Sequence, residues 1–99
     1  MKDLSFSAAL NILKSGGKIV RKGWSDKGMF IYLTSGSIVP FENLKQETAN
    51  KLLGEKTSRN DGAVEIKSHI DMKTADGSIT IGWVPSQVDM LADDWEVVA

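Results

Sequence analysis

Apolar positions along the 99-residue chain change period several times, and each change marks an element. Phe6, Ala9, Leu10 and Leu13 fall at i, i+3, i+4 and i+7, with Ser5 ahead of them as a cap and Gly16-Gly17 behind as a stop, so the spacing predicts an amphipathic N-terminal helix. Lys18 to Arg21 and Met29 to Thr34 are β-branched or aromatic runs flanking the turn-forming Gly23 to Gly28 stretch, and they read as two antiparallel strands whose connecting loop carries Trp24. After a Ser35-Gly36-Ser37 turn and Pro40, the segment Glu42 to Leu53 reads as a second helix ending at Gly54. Residues Glu55 to Gly62 are polar, end in the turn signal Asn60-Asp61-Gly62, and read as a connection.

From Val64 onward the period becomes two. Val64, Ile66, Ser68, Ile70 and Met72 alternate with Glu65, Lys67, His69, Asp71 and Lys73, which predicts a half-buried strand with His69 and Asp71 on one face. Ala75-Asp76-Gly77 closes a hairpin, and Ser78 to Trp83 runs back with Ile79, Ile81 and Trp83 on a common face. Ser86, with Asp89 three residues later, predicts a capped short helix before a last strand, Trp95 to Val98. The sum is an α+β fold: a small antiparallel sheet with an N-terminal helix and a second helix in the middle of the chain, in a single domain over 1–99.

A chain this short buries a modest fraction of its unfolded surface, so its core is thin and an oligomer is the natural remedy. The 41% hydrophobic and 25% charged fractions argue against disorder. Twelve basic against thirteen acidic residues leave a net charge of −1, which removes the positive field that binding to DNA or RNA needs. There is no cysteine, hence no disulfide framework or thiolate metal site; the expectation is a reducing, cytoplasmic setting without metal or cofactor. No apolar run approaches the ~18 residues of a membrane span, and the N-terminus lacks a signal-peptide core. No Walker, dinucleotide-fold or zinc spacing occurs, and the glycines of Ser15 to Gly23 lack the P-loop spacing and its Lys-Ser/Thr end.

Chemistry concentrates at two places. Trp83 and Trp95 flank Ser86, Gln87 and Asp89, while Trp24 sits among Arg21, Lys22 and Lys27; stacking surfaces beside cations suggest a nucleotide-like ligand. Each tryptophan has a bland reading as a core anchor, which is the preferred one for Trp95, whereas Trp24 and Trp83 lie at turns beside polar residues where an indole face can stay open. Arg21 has the planar fork for phosphate, and equally for a structural ion pair with a carboxylate. Asp89 and Asp94 suit ribose hydroxyls or an adenine amino group and not a phosphate. Phe6 is a lining residue or the first anchor of the helix, and the helical spacing favours the anchor. His69 with Asp71 is the one pair placed for acid–base work near neutrality, but same-face neighbours occur in every exposed strand, so a structural role is the default.

The segments RKGW, KGMF, HIDMKTADG and W-x-x-SQ-x-DMLA-x-DW-x-V, running in this order through about residues 6–34 and 69–98, are similar to Thoeris anti-defence protein 2 of bacteriophages; residues 40–62 carry none of the likeness. The resemblance implies a phage-encoded sponge in the host cytoplasm that binds a cyclic ADP-ribose isomer and holds it uncut, so that the Thoeris effector stays inactive. It further implies a homotetramer with pockets near subunit contacts and, in some members, binding of cyclic oligonucleotide signals at separate places. Carried onto this chain, it implies Trp24 and Trp83 for base stacking, Arg21 for phosphate, and Ser86, Gln87 and Asp89 for polar contacts, with Lys27 as a further ligand-binding residue and no catalytic residue. Two other classes stay open: a protein-binding module or phage structural subunit using its tryptophans as a contact patch, and a small hydrolase of nucleotide signals relying on His69 and Asp71.

Overall fold

The computed structural model describes residues 1–57 and 59–98, and its contacts divide the chain into two units. The larger, Met1–Thr34 with His69–Ala99, holds a five-stranded antiparallel sheet; the smaller, Ser35–Ser68, holds a two-stranded ribbon and a helix.

In the larger unit, Ser5 caps helix α1 (Phe6–Lys14) by accepting the Ala8 N–H at 3.2 Å, and the helix buries Ala9 and Leu13, two of the four positions the spacing selected. Strand β1 (Lys18–Arg21) lies between β2 (Phe30–Thr34) and the last strand β7 (Trp95–Val98), with Ile19 opposite both Ile31 and Val97. Beyond β2 come β5 (His69–Lys73) and β6 (Ile79–Ile81), giving the order β6-β5-β2-β1-β7. Ala9, Leu13, Ile19, Ile31, Met72 and Trp95 form one buried cluster between α1 and the sheet, ringed by half-buried residues that include Phe6, Trp24, Ile70 and Trp83. The short helix α3 (Gln87–Leu91) precedes β7.

The smaller unit pairs β3 (Ser37–Pro40) with β4 (Ala63–Ile66), and carries α2 (Gln46–Leu52) between them. Three expectations need correction here. The Glu42–Leu53 helix is two pieces, a 3-10 turn at Phe41–Asn43 and then α2, because Leu44 and Lys45 take extended backbone angles. Strand β3 was not anticipated; its Pro40 sits at the strand end, where a missing N–H is tolerated. The alternating run from Val64 to Met72 is not one strand but β4 and β5, in separate sheets. The interruption at Lys67–Ser68 lies against Gly36, where a Cβ would stand 2.7 Å from the Ile66 carbonyl oxygen and 3.0 Å from the Ser68 nitrogen. The expected connection Glu55–Gly62 contains Ser58, which lies outside the described residues.

Alternation places His69 and Asp71 on one face, and they do lie together there, 2.7 Å apart; Asp71 is nonetheless 3% exposed, because Thr34, His69 and Gly82 close around its carboxylate. One face was misassigned. Trp83 does not share the face of Ile79 and Ile81: β6 ends at Ile81, Gly82 turns the chain at φ +83°, and Trp83 packs on the core while the isoleucines remain 48% and 72% exposed.

Candidate functional site

The three tryptophans meet at one corner of the larger unit. Trp95, at the start of β7, is fully buried and donates its indole N–H to the Asp89 carbonyl at 2.9 Å, as the core reading of that residue requires. Trp24 crosses it edge-on at 5.5 Å between ring centroids and 77°, Trp83 at 6.3 Å and 82°, and Trp24 and Trp83 meet each other at 6.2 Å and 81°. Phe6 of α1 packs on Trp95 at 5.4 Å, which makes it an anchor of the helix.

Backbone chemistry fixes the two half-buried indoles. The Trp24 N–H donates to the Arg21 carbonyl, and the Trp24 carbonyl accepts from Lys27 and Met29, closing a tight turn that Gly28 ends at φ +71°. The Trp83 N–H donates to the Ile70 carbonyl at 2.7 Å. The two tryptophans are therefore held on separate turns at the ends of β1 and β6, far apart in sequence and adjacent in space.

Beside them lies a polar network. Arg21 donates from Nε and Nη2 to the two carboxylate oxygens of Asp94, at 3.0 and 3.2 Å, and from Nη1 to Asp89 at 3.0 Å. Asp89 also completes a capping box: its carboxylate accepts the Ser86 N–H at 2.9 Å, and Ser86 Oγ accepts the Asp89 N–H at 3.1 Å. Asp94 is held below the usual carboxylate range by Arg21. Burial pushes the Asp89 carboxyl upward, but the hydrogen bonds from Ser86 and Arg21 outweigh it and the net direction is down. The two carboxylates in turn raise Arg21 above its ordinary value. Of five guanidinium donors, three are engaged. Arg21 thus forms the ion pair that its sequence position allowed as readily as a phosphate contact, and two of its N–H groups have no partner among the described residues.

Of the other expected residues, Ser86 serves as the cap of α3, Gln87 is exposed on that helix, and Lys27 is exposed in the turn after Trp24. Lys27 makes no ion pair among the described residues. The structure therefore joins Arg21 to Asp89, Asp89 to Ser86, and Trp24 to Trp83. Sequence reasoning passed over Thr34 and Gly82, which with His69 surround Asp71; the visible signal was a glycine directly before Trp83.

His69 Nδ1 lies 2.7 Å from Asp71 Oδ1, Thr34 Oγ1 donates to Asp71 Oδ2 at 2.6 Å, and the Gly82 N–H donates to Oδ1 at 3.1 Å. Burial raises the Asp71 carboxyl, yet these three partners outweigh it and hold it below its usual value. The hydroxyl in this group is directed at the carboxylate and not at the imidazole, so it is not arranged as a nucleophile with its base. Among the described residues no three His, Cys, Asp or Glu side chains gather as a metal site, and no helix is long and apolar enough to cross a membrane.

Two concavities of the smaller unit involve none of these residues. One, of about 520 Å³, is an open trough lined by Gly36, Ser37, Ile38, Glu65, Lys67 and Ser68; the other, of about 370 Å³, lies between Phe41, α2 and Thr57. Neither offers the aromatic surface that base stacking needs together with convergent polar groups, so the tryptophan corner remains the better candidate.

An indole pair backed by a buried tryptophan and bordered by an Arg–Asp network is the candidate site of this α+β fold, and sequence comparison gives its family. The sequence model of the Tad2-like family, described as the Thoeris anti-defense 2-like domain, matches residues 4–98, and the chain belongs to this family. It is 34% identical over 96 residues to Thoeris anti-defense 2 of Bacillus phage SP01, an alignment that covers 97% of this chain and 96% of that protein. The match includes residues 40–62, which the short motifs leave out.

Proposed function

We propose that this protein binds a cyclic ADP-ribose-type Thoeris signal and holds it without cleaving it, which keeps the host effector inactive. The observation that carries this reading is the pair Trp24 and Trp83, half-buried and 6.2 Å apart, supported from behind by Trp95. One or both indoles stack on the adenine; Lys27 and the two remaining Arg21 donors meet the pyrophosphate; Ser86 and Gln87 meet ribose hydroxyls. Asp89 acts chiefly through Arg21 and the α3 cap. A ligand of ~35 non-hydrogen atoms at about −0.3 kcal/mol per atom reaches about −10 kcal/mol, or tens of nanomolar, enough to sequester a signal in the host cytoplasm.

The same reading includes a homotetramer, with the ligand enclosed between copies because a 99-residue chain can hardly enclose it alone while keeping a core. Ile79, Ile81, Val84, Val88 and Leu91 are 48 to 79% exposed on β6 and the α3 segment, an apolar area that a second copy would cover. That area also favours the runner-up, a protein-binding module. The His69–Asp71 contact is what a hydrolase reading would use.

The experiment mixes purified protein with the cyclic ADP-ribose signal, removes free ligand, denatures the complex by heat and identifies the released compound by mass spectrometry. Intact signal supports the sponge. Linear ADP-ribose overturns it in favour of an enzyme, and no retained ligand favours the protein-contact reading. Trp24→Ala and Trp83→Ala should each abolish retention while keeping the far-ultraviolet circular dichroism of the parent; unchanged affinity in both removes the stacking assignment.

A further inference from the structure

We infer that Asp71 is the positioning residue that sets the Trp83 indole, an inference that rests on the role proposed for Trp83. Asp71 is the one charged side chain that is buried among the described residues, at 3% exposure, and three donors on three segments converge on it: Thr34 at the end of β2, His69 on β5, and the backbone N–H of Gly82.

The third donor connects the carboxylate to the site. Asp71 and Ile81 are the last cross-strand pair of β5 and β6, so the residue after Ile81 decides where the chain goes. A strand continued past Ile81 would place Trp83 on the face of Ile79 and Ile81, which is exposed. Instead Asp71 Oδ1 takes the Gly82 N–H, Gly82 adopts φ +83°, and the Trp83 N–H reaches the Ile70 carbonyl at 2.7 Å. Both residues of the turn are thereby tied to β5, Gly82 through the Asp71 side chain and Trp83 through the main chain. A carboxylate is suited to this place because it only accepts and has lone pairs for all three donors; an amide could keep Gly82 and His69 on its one oxygen only by turning its N–H₂ group to Thr34, whose hydroxyl would then accept. Thr34 and His69 orient the carboxylate, and among the described residues neither hydrogen-bonds to the turn.

Four measurements test this: hydrogen exchange at the Gly82 and Trp83 amides of the parent, near-ultraviolet circular dichroism of the crossed indoles, affinity for cyclic ADP-ribose by calorimetry, and thermal midpoint. Asp71→Ala, which removes the acceptor, is compared with Thr34→Val, which removes a donor to the same carboxylate but leaves Gly82 alone, and with Trp83→Ala. The parent should protect both amides. Asp71→Ala should change the near-ultraviolet spectrum and weaken binding about tenfold or more. Thr34→Val should keep the spectrum and bind within about twofold, whatever its midpoint. An unprotected Gly82 amide overturns the inference even if Asp71→Ala fails to fold. It is equally overturned by a parent-like spectrum in Asp71→Ala, or by equal losses of affinity in Asp71→Ala and Thr34→Val. Parent-like binding by Trp83→Ala is a separate result: it removes Trp83 from the ligand site, and the positioning role of Asp71 is then judged on exchange and the spectrum.

Discussion

Arg21 shows how one side chain can carry a network. Its guanidinium joins β1 to Asp89 and Asp94, Asp89 closes the cap of α3, and the Asp89 carbonyl holds the Trp95 indole. Replacing it leaves two partly buried carboxylates without their cation, so Arg21→Ala should lower stability by about 1–3 kcal/mol in denaturant titration. Arg21→Lys should recover part of this loss, since an ammonium cannot reproduce the fork on Asp94. The pH dependence follows from the same groups. Asp71, Asp89 and Asp94 are all held below their ordinary values, so their contribution is complete above the unfolded-state pKa of about 4 and is lost as pH falls through the lower folded-state values. Stability should be nearly flat from pH 7 to about 5 and fall below about 4, and the fall should be shallower in Arg21→Ala; an equally steep fall there would remove the Arg21 network from the acid response.

At the scale of elements, glycines decide where a periodic pattern stops being a strand. Gly36 lies so close to the Ile66–Ser68 backbone that any Cβ would require movement, and Gly36→Ala should destabilise the β3–β4 ribbon by about 1–3 kcal/mol, read as faster hydrogen exchange at Val39 and Val64, the directly opposed pair. Parent-like exchange would mean that the ribbon shifts freely to admit the methyl group. Gly82 does comparable work at the end of β6. Neither effect is visible in the alternation of Val64 to Trp83, because period two records which residues are apolar and not which partner strand or turn receives them. Elements with their own local signals were legible: the Ser5 cap and apolar stripe of α1, and the reciprocal Ser86–Asp89 cap of α3. The break at Leu44–Lys45 had no such signal.

Across the whole molecule, the two edges of the five-stranded sheet are treated differently. The outer side of β7 is occupied by the N-terminal residues: Leu4 exchanges two backbone hydrogen bonds with Trp95, and Met1 accepts from Val97. At the opposite end β6 is three exposed residues, Ile79-Thr80-Ile81, with no charge or proline to block pairing. A homo-oligomer built through this edge predicts that light scattering finds an assembly in the parent, and that Ile81→Lys weakens it without changing secondary structure. A parent that is monomeric at micromolar concentration with ligand present would remove the shared pocket from the proposed function.

The sequence by itself determined the class of fold, the helix and strand types with strong local patterning, the burial of Trp95, and, through motifs spread over both ends of the chain, the family. These depend on residues near each other in the chain or on the motifs themselves. Tertiary structure alone decided that Arg21 faces Asp89 and Asp94, that Trp24 meets Trp83, that Asp71 is buried, and that one expected strand is two. Each is a contact or a partition between segments up to 73 residues apart, and hydrophobic period carries no information about which distant donor meets which acceptor.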